Sequence, residues 1–160
     1  MKLAQLSLDP SLRATGVAMW VDGKLTRVVV IKVKAPARGP DAWQAQGRAL
    51  RGWIQGYTIT QMWSERATLY TEDQKLTPEG FYQLTGVLGA LSMVCPLAPM
   101  RAYHASQWKG TVAKDVFCKR IYDHLSPEEQ AVVDAWGPDG KYKTDVLDAT
   151  GVGLVAQYRL

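Results

Sequence analysis

Residues 3–21, LAQLSLDPSLRATGVAMWV, decide the fold. Apolar and polar side chains alternate up to Asp9, which predicts a β-strand that ends on this carboxylate. A turn, PSLRATG, leads into VAMWV, which predicts a second strand. Asp22-Gly23 indicates a tight hairpin into a third strand over 25–33, LTRVVVIKV, which is rich in β-branched residues. Three consecutive antiparallel strands are therefore expected.

The rest of the chain alternates helical and strand patterns. A helix is expected from Asp41, and Thr77 and Ser126 are placed to cap two later helices. The predicted later elements are a fourth strand at 67–73 (ATLYTED), a second helix at 81–95, a fifth strand at 100–104, and three helices, the last of them capped by Thr144. The order β-β-β-α-β-α-β-α-α-α predicts an α/β fold with one five-stranded mixed sheet and helices on its faces.

Length and composition predict one globular domain over residues 1–160. A chain of 160 residues with 47% hydrophobic residues can form a full core. Its apolar stretches are too short to span a bilayer, and its start lacks the pattern of a signal peptide. A cytoplasmic protein without a membrane partner is therefore expected. No Cys-x-x-Cys or His/Cys cluster indicates zinc.

Basic residues concentrate in two stretches, 32–51 and 101–124, while the net charge is only +4. Neither stretch contains the carboxylates considered next. A basic surface around an acidic pocket suits a polyanionic substrate, and nucleic acid is the usual one. A solvated basic face without any partner is the plain alternative.

Four carboxylates are the strongest functional signal. The set combines two acids expected at strand ends with two on one helix face: Asp9, Glu72, Asp145 and Asp148. Acids gathered at one point repel each other unless divalent cations hold them together, and carboxylate oxygens suit Mg²⁺. The set therefore predicts a two-metal phosphodiesterase centre. Taken singly, Asp9, Glu72 and Asp145 could be a turn, a polar strand end and a helix first-turn residue. Asp148 is harder to dismiss, because it interrupts an apolar helix face.

Four segments together resemble the RuvC-type Holliday junction resolvases of the ribonuclease H-like superfamily. These segments are DPSLRATGVA (9–18), YTEDQ (70–74), WKGTVAKDVFCKRI (108–121) and TDVLDATGVGL (144–154). The resemblance covers nearly the whole chain in the same order, and compact phage-encoded members are the most similar. It implies a ribonuclease H-like fold and a nuclease that resolves four-way DNA junctions in a bacterial or phage-infected cell.

The resemblance also implies a site and a partner. Asp9, Glu72, Asp145 and Asp148 match the residues that hold two Mg²⁺ ions, with Mn²⁺ as an alternative ion. The helix 81–95 matches the family's dimerisation helix, with Gly86 and Gly89 allowing close approach and with four contacts expected, at Leu84, Val87, Leu88 and Leu91. The expected DNA-binding residues are Lys109, Lys114, Arg13, Trp108 and Lys75.

One position departs from the bacterial pattern. Lys75 stands where bacterial members have an aromatic that inserts at the junction, which points to broader action on branched DNA. Two other functions stay open, namely a ribonuclease H-like nuclease for flaps or RNA–DNA hybrids and a junction-binding protein without catalysis. The sequence also leaves open whether His104 or His124 assists proton transfer.

Overall fold

The computed structural model describes residues 1–34, 39–66, 70–71, 74–75, 77–110, 112–136 and 143–160, and only the backbone at 70–71, 74–75 and 107–108. The strands are β1 (Lys2–Asp9), β2 (Ala14–Val21), β3 (Lys24–Lys32), β4 (Tyr57–Glu65), β5 (Tyr70–Thr71), β6 (Gln74–Lys75) and β7 (Met100–Tyr103). The helices are α1 (Gly39–Trp53), α2 (Pro78–Ser92), α3 (Ala105–Trp108), α4 (Lys114–Asp123), α5 (Pro127–Ala135) and α6 (Lys143–Ala156).

The main sheet is mixed and five-stranded, in the order β3-β2-β1-β4-β7. β1, β2 and β3 pair antiparallel, whereas β1–β4 and β4–β7 pair parallel. The predicted hairpin is confirmed: Asp22 and Gly23 have φ values of 51° and 74°, as a two-residue turn of this hand requires. The α/β class and the five-stranded mixed sheet are confirmed.

The fourth strand of this sheet is β4, and the prediction that it lies at 67–73 is wrong. Within that segment Tyr70–Thr71 belongs to a separate two-stranded ribbon with Gln74–Lys75. Two features explain why the sequence pattern did not predict β4. A bulge at Thr60 shifts the register between Ala4–Ile59 and Gln5–Gln61, which breaks the alternation. Near the end of β4 the consecutive residues Met62, Trp63 and Ser64 are also all buried, so both faces of the strand are covered there.

Helices cover both faces of the sheet. The core under α1 and α2 contains Leu6, Met19, Leu50 and Leu91, among others. The opposite core, under α4, α5 and α6, contains Trp20, Phe117, Val133 and Val152. Residues of β2 alternate between the two cores, as its pleat requires. The result is three layers, with the ends of the strands accessible at the edges.

The second helix runs from Pro78 to Ser92, with Thr77 as its N-cap, rather than from 81 to 95. Two of its predicted dimer contacts, Val87 and Leu91, are completely buried in the chain's own core. Gly86 also contacts a side chain of its own chain, the ring of Trp43. A Cβ on Gly86 would lie 2.6 Å from Cδ2 of Trp43 and nearer still to Cε2. Three features expected at a dimer interface therefore serve the packing of α2 on α1.

The two other predicted caps have different outcomes. Ser126 forms the expected capping box at the start of α5, where its side chain and that of Glu129 each bond the other's backbone N–H. α6 begins at Lys143, so Thr144 lies inside the helix and not at its cap. Within the described ranges, no helix is long and apolar enough to cross a membrane.

Candidate active site

Two neighbouring parallel strands end on carboxylates at one edge of the sheet. β1 ends on Asp9 and β4 ends on Glu65. Because Leu8 pairs with Ser64, the two acids occupy equivalent positions on adjacent strands. Glu65 was not among the predicted site residues. The signal for it is the apolar pair Met62 and Trp63 shortly before it, which is typical of a strand that ends on an acid.

The helix α6 brings two further acids to the same edge. It packs across β1 and β2, and Asp145 stands in its first turn. Asp148 follows one turn later, and its side chain is only 3% exposed. Asp145 and Asp148 therefore join Asp9 and Glu65, and these four residues are called the acidic centre below.

The electrostatics of Asp9 show that the four carboxylates interact. Its pKa is raised well above the ordinary value, first by burial and then by the negative charges of Asp148 and Glu65, with Asp145 adding a smaller effect. The pKa of Asp145 is also raised, chiefly by burial, although Lys114 opposes the shift. The four carboxylates thus lie close enough together for their negative charges to repel one another.

Two lysines partly neutralise the acidic centre. Lys109 Nζ lies 2.9 Å from Glu65 Oε2 and 3.5 Å from Asp148 Oδ1. Lys114 Nζ lies 3.3 Å from Asp148 Oδ2. Burial lowers the pKa of both lysines, but the carboxylates, Asp148 foremost, outweigh it and raise each pKa above its ordinary value. Both ammonium groups therefore stay charged and act as internal counterions.

The residues of the acidic centre fit a divalent cation in their chemistry. Carboxylate oxygens are the ligands that Mg²⁺ and Mn²⁺ prefer. Asp148 Oδ1 is buried and accepts no hydrogen bond within the described part of the chain, so a strong acceptor is left for a cation. In this arrangement no three His, Cys, Asp or Glu side chains of the described residues are close enough together to hold one ion.

The remaining predicted site residues have different standing. Glu72 lies outside the described residues, and its expected place at the end of the fourth strand belongs to Glu65. Trp108 is the last residue of α3 and Lys75 lies in β6, and only the backbone is described for these two residues. Arg13 is exposed in the turn that follows Asp9. Lys109 and Lys114 lie at the acidic centre itself.

The two histidines differ in location. His104 follows β7, next to the centre, where its Nε2 lies 3.1 Å from Nη1 of Arg66. His124 caps the other end of α4, and its Nδ1 lies 2.8 Å from the carbonyl oxygen of Arg120. Since α4 places ten residues, about 15 Å, between Lys114 and this end, His124 is remote from the acidic centre.

Three of the solved structures that share this architecture are two of RuvC and one of a Holliday junction resolvase. RuvC of Thermus thermophilus in complex with a Holliday junction substrate matches with a TM-score of 0.72 at 16% identity, over 98% of this chain and 93% of that one. Another Thermus thermophilus RuvC structure gives 0.68 at 15% identity, over 97% and 93%. The yeast mitochondrial Holliday junction resolvase Ydc2 gives 0.57 at 12% identity, over 97% and 82%.

Sequence comparison adds no relative to these structures. No protein-family model matches the chain, and no curated protein matches it. At 12–16% identity the structural likeness establishes the fold and not the activity. The chain shares the fold of RuvC, as the resemblance of its sequence to the RuvC-type family implied.

Proposed function

We propose that this protein is a Mg²⁺-dependent endonuclease that hydrolyses phosphodiester bonds in branched DNA, four-way junctions above all. The observation that supports it most is the convergence of Asp9, Glu65, Asp145 and Asp148 at one sheet edge, where the buried Oδ1 of Asp148 accepts no hydrogen bond from the described residues. The fold adds support, because one solved neighbour is RuvC in complex with a Holliday junction substrate and another is named as a Holliday junction resolvase. The whole chain, 1–160, forms one nuclease domain that acts in the cytoplasm.

The four acids have distinct places in this proposal. Asp9 lies close enough to the other three acids for their negative charges to raise its pKa. Asp9 and Glu65 from the sheet and Asp145 and Asp148 from α6 would together hold the two ions. Mg²⁺, with Mn²⁺ as an alternative, supplies an activated water and charge neutralisation at the leaving oxygen when bound. The cut breaks the P–O3′ bond and leaves a 5′-phosphate and a 3′-hydroxyl.

Lysines at the rim bind the substrate. Lys114 has an ammonium group that is well exposed beside Asp148, so it can contact a phosphate oxygen next to the bond that breaks. Lys109 is more deeply set and ion-paired to Glu65. Both charges offset the repulsion between DNA and the acidic centre. Arg13, Trp108 and Lys75 extend the DNA contact surface.

A second copy of the chain completes the proposal. The outer face of α2 and the turn after it expose large apolar side chains, with Tyr82, Met93 and Leu97 at 66%, 68% and 97% exposure. Thr85 and Gly89 lie between them on the same face, so another helix could approach closely. A symmetric pair through this face would place two acidic centres on one junction, which allows paired cuts in opposed strands.

The test compares three labelled substrates: a four-way junction, a flap and an RNA–DNA hybrid. Each is incubated with Mg²⁺, Mn²⁺ or EDTA, using the wild type, Asp9→Asn and the matched control Asp123→Asn at the exposed end of α4. We expect metal-dependent cutting of the junction by the wild type and the control only. If the wild type cuts the hybrid or the flap in preference to the junction, the proposed substrate is wrong. Tight junction binding without any cutting would indicate a binding protein.

A further inference from the structure

A cavity of about 260 Å³ lies between the turn after β1 and the helices α1 and α2, and Arg13 lies in its wall. Its walls come from the turn after β1, the first turn of α1 and the start of α2. Gln46 fixes that turn, because its Nε2 donates to the carbonyl oxygen of Ser11 at 2.9 Å and its Oε1 accepts from Thr15 Oγ1 at 2.5 Å. The cavity is therefore a built part of the fold.

The cavity and the acidic centre face the same edge of the sheet. Arg13 lines the cavity and follows Asp9 by four positions, so the two Cα atoms are at most about 14 Å apart. The pairing of Asp9 with Gly16 folds the turn back over this edge. A nucleotide bound in the cavity would thus be one or two positions away from a phosphate at the acidic centre.

The walls combine an aromatic ring with apolar and polar groups. Trp43 is held between Gly86 and the edge of Tyr82, whose ring centroid is 5.6 Å away, and its buried Nε1 donates to no acceptor in the described part of the chain. Leu12 and Ala42 add apolar surface. Such a wall suits a flat heterocycle with polar edges.

Polar groups at the cavity are only loosely satisfied. Gln83 donates to Glu79 at 3.3 Å and accepts from the Gly39 N–H at 3.4 Å, both long for such bonds. Within the described ranges the Arg13 guanidinium has no hydrogen bond or ion pair, and it is exposed at the rim. Gln83 is an amide that can exchange hydrogen-bond partners, as recognition of a base requires. Arg13 is a cation at the mouth of the cavity, as binding of the adjoining phosphate requires.

We infer that this cavity receives an unpaired base of the DNA strand next to the cleaved bond, while Arg13 holds the adjoining phosphate. The inference rests on the proposed function and names the feature of the substrate that the site selects. Taking a base out of a continuous duplex costs a few kcal/mol, and the cost is least where the base is already unpaired. The cavity would therefore favour branch points over plain duplex.

The test is a scan with abasic nucleotides. Four-way junctions that lack one base, at successive positions within three nucleotides of the cut, are titrated by fluorescence anisotropy with Ca²⁺ in place of Mg²⁺. We expect one position at which loss of the base weakens binding by the wild type about 10-fold, in line with the stacking of a single base. A profile that is flat at every position would overturn the inference.

Variants then locate the effect. Ala42→Leu fills the cavity, and it should bind the intact junction about 10-fold more weakly and lose any further response at the sensitive position. Ala49→Leu makes the same change on the exposed side of α1 and should behave as the wild type. Gln83→Ala leaves the backbone packing alone and should shrink the abasic effect, which keeps the test valid if Ala42→Leu does not fold.

The outcomes separate this inference from the proposed function. An abasic effect of equal size in the wild type, Ala42→Leu and Gln83→Ala would place the base elsewhere and overturn the inference. If the wild type cuts junctions but the scan is flat, only the inference fails. If the wild type neither binds nor cuts any branched DNA, both fail together.

Discussion

Gly16 lies against the backbone of Asp145. A Cβ on Gly16 would be 2.7 Å from the carbonyl carbon of Asp145 and nearer still to its oxygen. On the sheet, Gly16 is the direct partner of Asp9. One glycine without a side chain thus sets how closely α6 approaches β2 beside Asp9, and with it the spacing between the carboxylates of two different elements.

Replacing Gly16 by Ala should move the first turn of α6 and lower the proposed cleavage about 100-fold or more, because the carboxylates of the acidic centre would be displaced by more than an ångström. Cleavage of the labelled four-way junction measures this. Gly52→Ala is the matched control, since its added Cβ meets nothing within 4 Å. Near-normal activity in Gly16→Ala, with a normal thermal melt, would contradict this role of the close contact.

Glu65, and not Glu72, should be essential. Glu65→Gln should reduce cleavage at least 100-fold, because even changes behind a metal's direct ligands cost 10- to 100-fold. Junction binding should be retained or tightened, since a negative charge facing phosphate is lost. Glu72→Gln serves as the comparison, and we expect it to cut at close to the wild-type rate. The reverse result would return the role to Glu72.

The difference between these two glutamates illustrates what the sequence could predict. The proximity of Asp9, Asp145 and Asp148 could be predicted because each stands in a clear local pattern, a strand end or an i, i+3 pair on a helix. Glu65 was missed because the bulge at Thr60 and the burial of both faces of β4 remove the alternation that marks a strand. The local pattern therefore placed the predicted fourth strand too late in the chain, and the predicted acid was displaced with it.

The contacts of Lys109 and Lys114 could not be predicted either. Their ion pairs with Glu65 and Asp148 join residues that are distant in sequence, and no periodicity encodes such a contact. The same holds for α2, whose nearly continuous apolar character hid which side faces the core. Burial of Val87 and Leu91 assigns that side only once α1 and the sheet are in place.

Removal of the Lys109 charge should make the fold depend on divalent ions. In Lys109→Met, Glu65 and the buried Asp148 lose a counterion, and we expect about 2 kcal/mol of destabilisation in EDTA. This is less than for a fully buried pair because the Lys109 side chain is 25% exposed. Added Mg²⁺ should restore much of the loss, as measured by thermal melting without DNA.

Lys119→Met, which breaks an exposed pair with Asp123 on α4, is the control and should show no such rescue. If Lys109→Met melts at the same temperature with EDTA and with millimolar Mg²⁺, the carboxylates do not bind the ion.

Glu129 should make stability depend on pH in acid. Burial raises the pKa of this carboxyl, but bonds from Arg159 and from the N–H groups of Leu25 and Ser126 outweigh it and lower the pKa to about 2. A depressed folded-state pKa means that the stabilisation is complete above about 4.5 and is lost as the pH falls towards 2. We expect a loss of about 2 kcal/mol, allowing for the 30% exposure of Arg159.

Glu129→Gln tests this by urea unfolding at several pH values. At pH 7 the variant should be less stable than the wild type, and the gap should narrow steadily between pH 5 and pH 2. A gap that stays constant over that range would mean that the carboxylate charge of Glu129 contributes nothing.

The dimer proposed through α2 should be disrupted by Gly89→Arg. Gly89 is exposed and a Cβ there meets nothing within 4 Å, so the monomer should fold normally. A charged side chain at the centre of the shared face should convert the dimer to a monomer in sedimentation, and should impair paired cuts in a junction more than single cuts in a flap. Gly52→Arg is the control. A wild type that is already monomeric at micromolar concentration without DNA would exclude this interface.

The packing of α6 across β1 and β2 also bears on when the protein can become active. The acidic centre draws Asp9 and Glu65 from the sheet but Asp145 and Asp148 from this one helix. Any partly folded form in which α6 is undocked therefore lacks half of the carboxylates. In the proposed nuclease, a chain still emerging from the ribosome, or one unfolding locally at α6, would be unable to cut nucleic acid, so completion of the tertiary structure would act as a safeguard against premature cleavage.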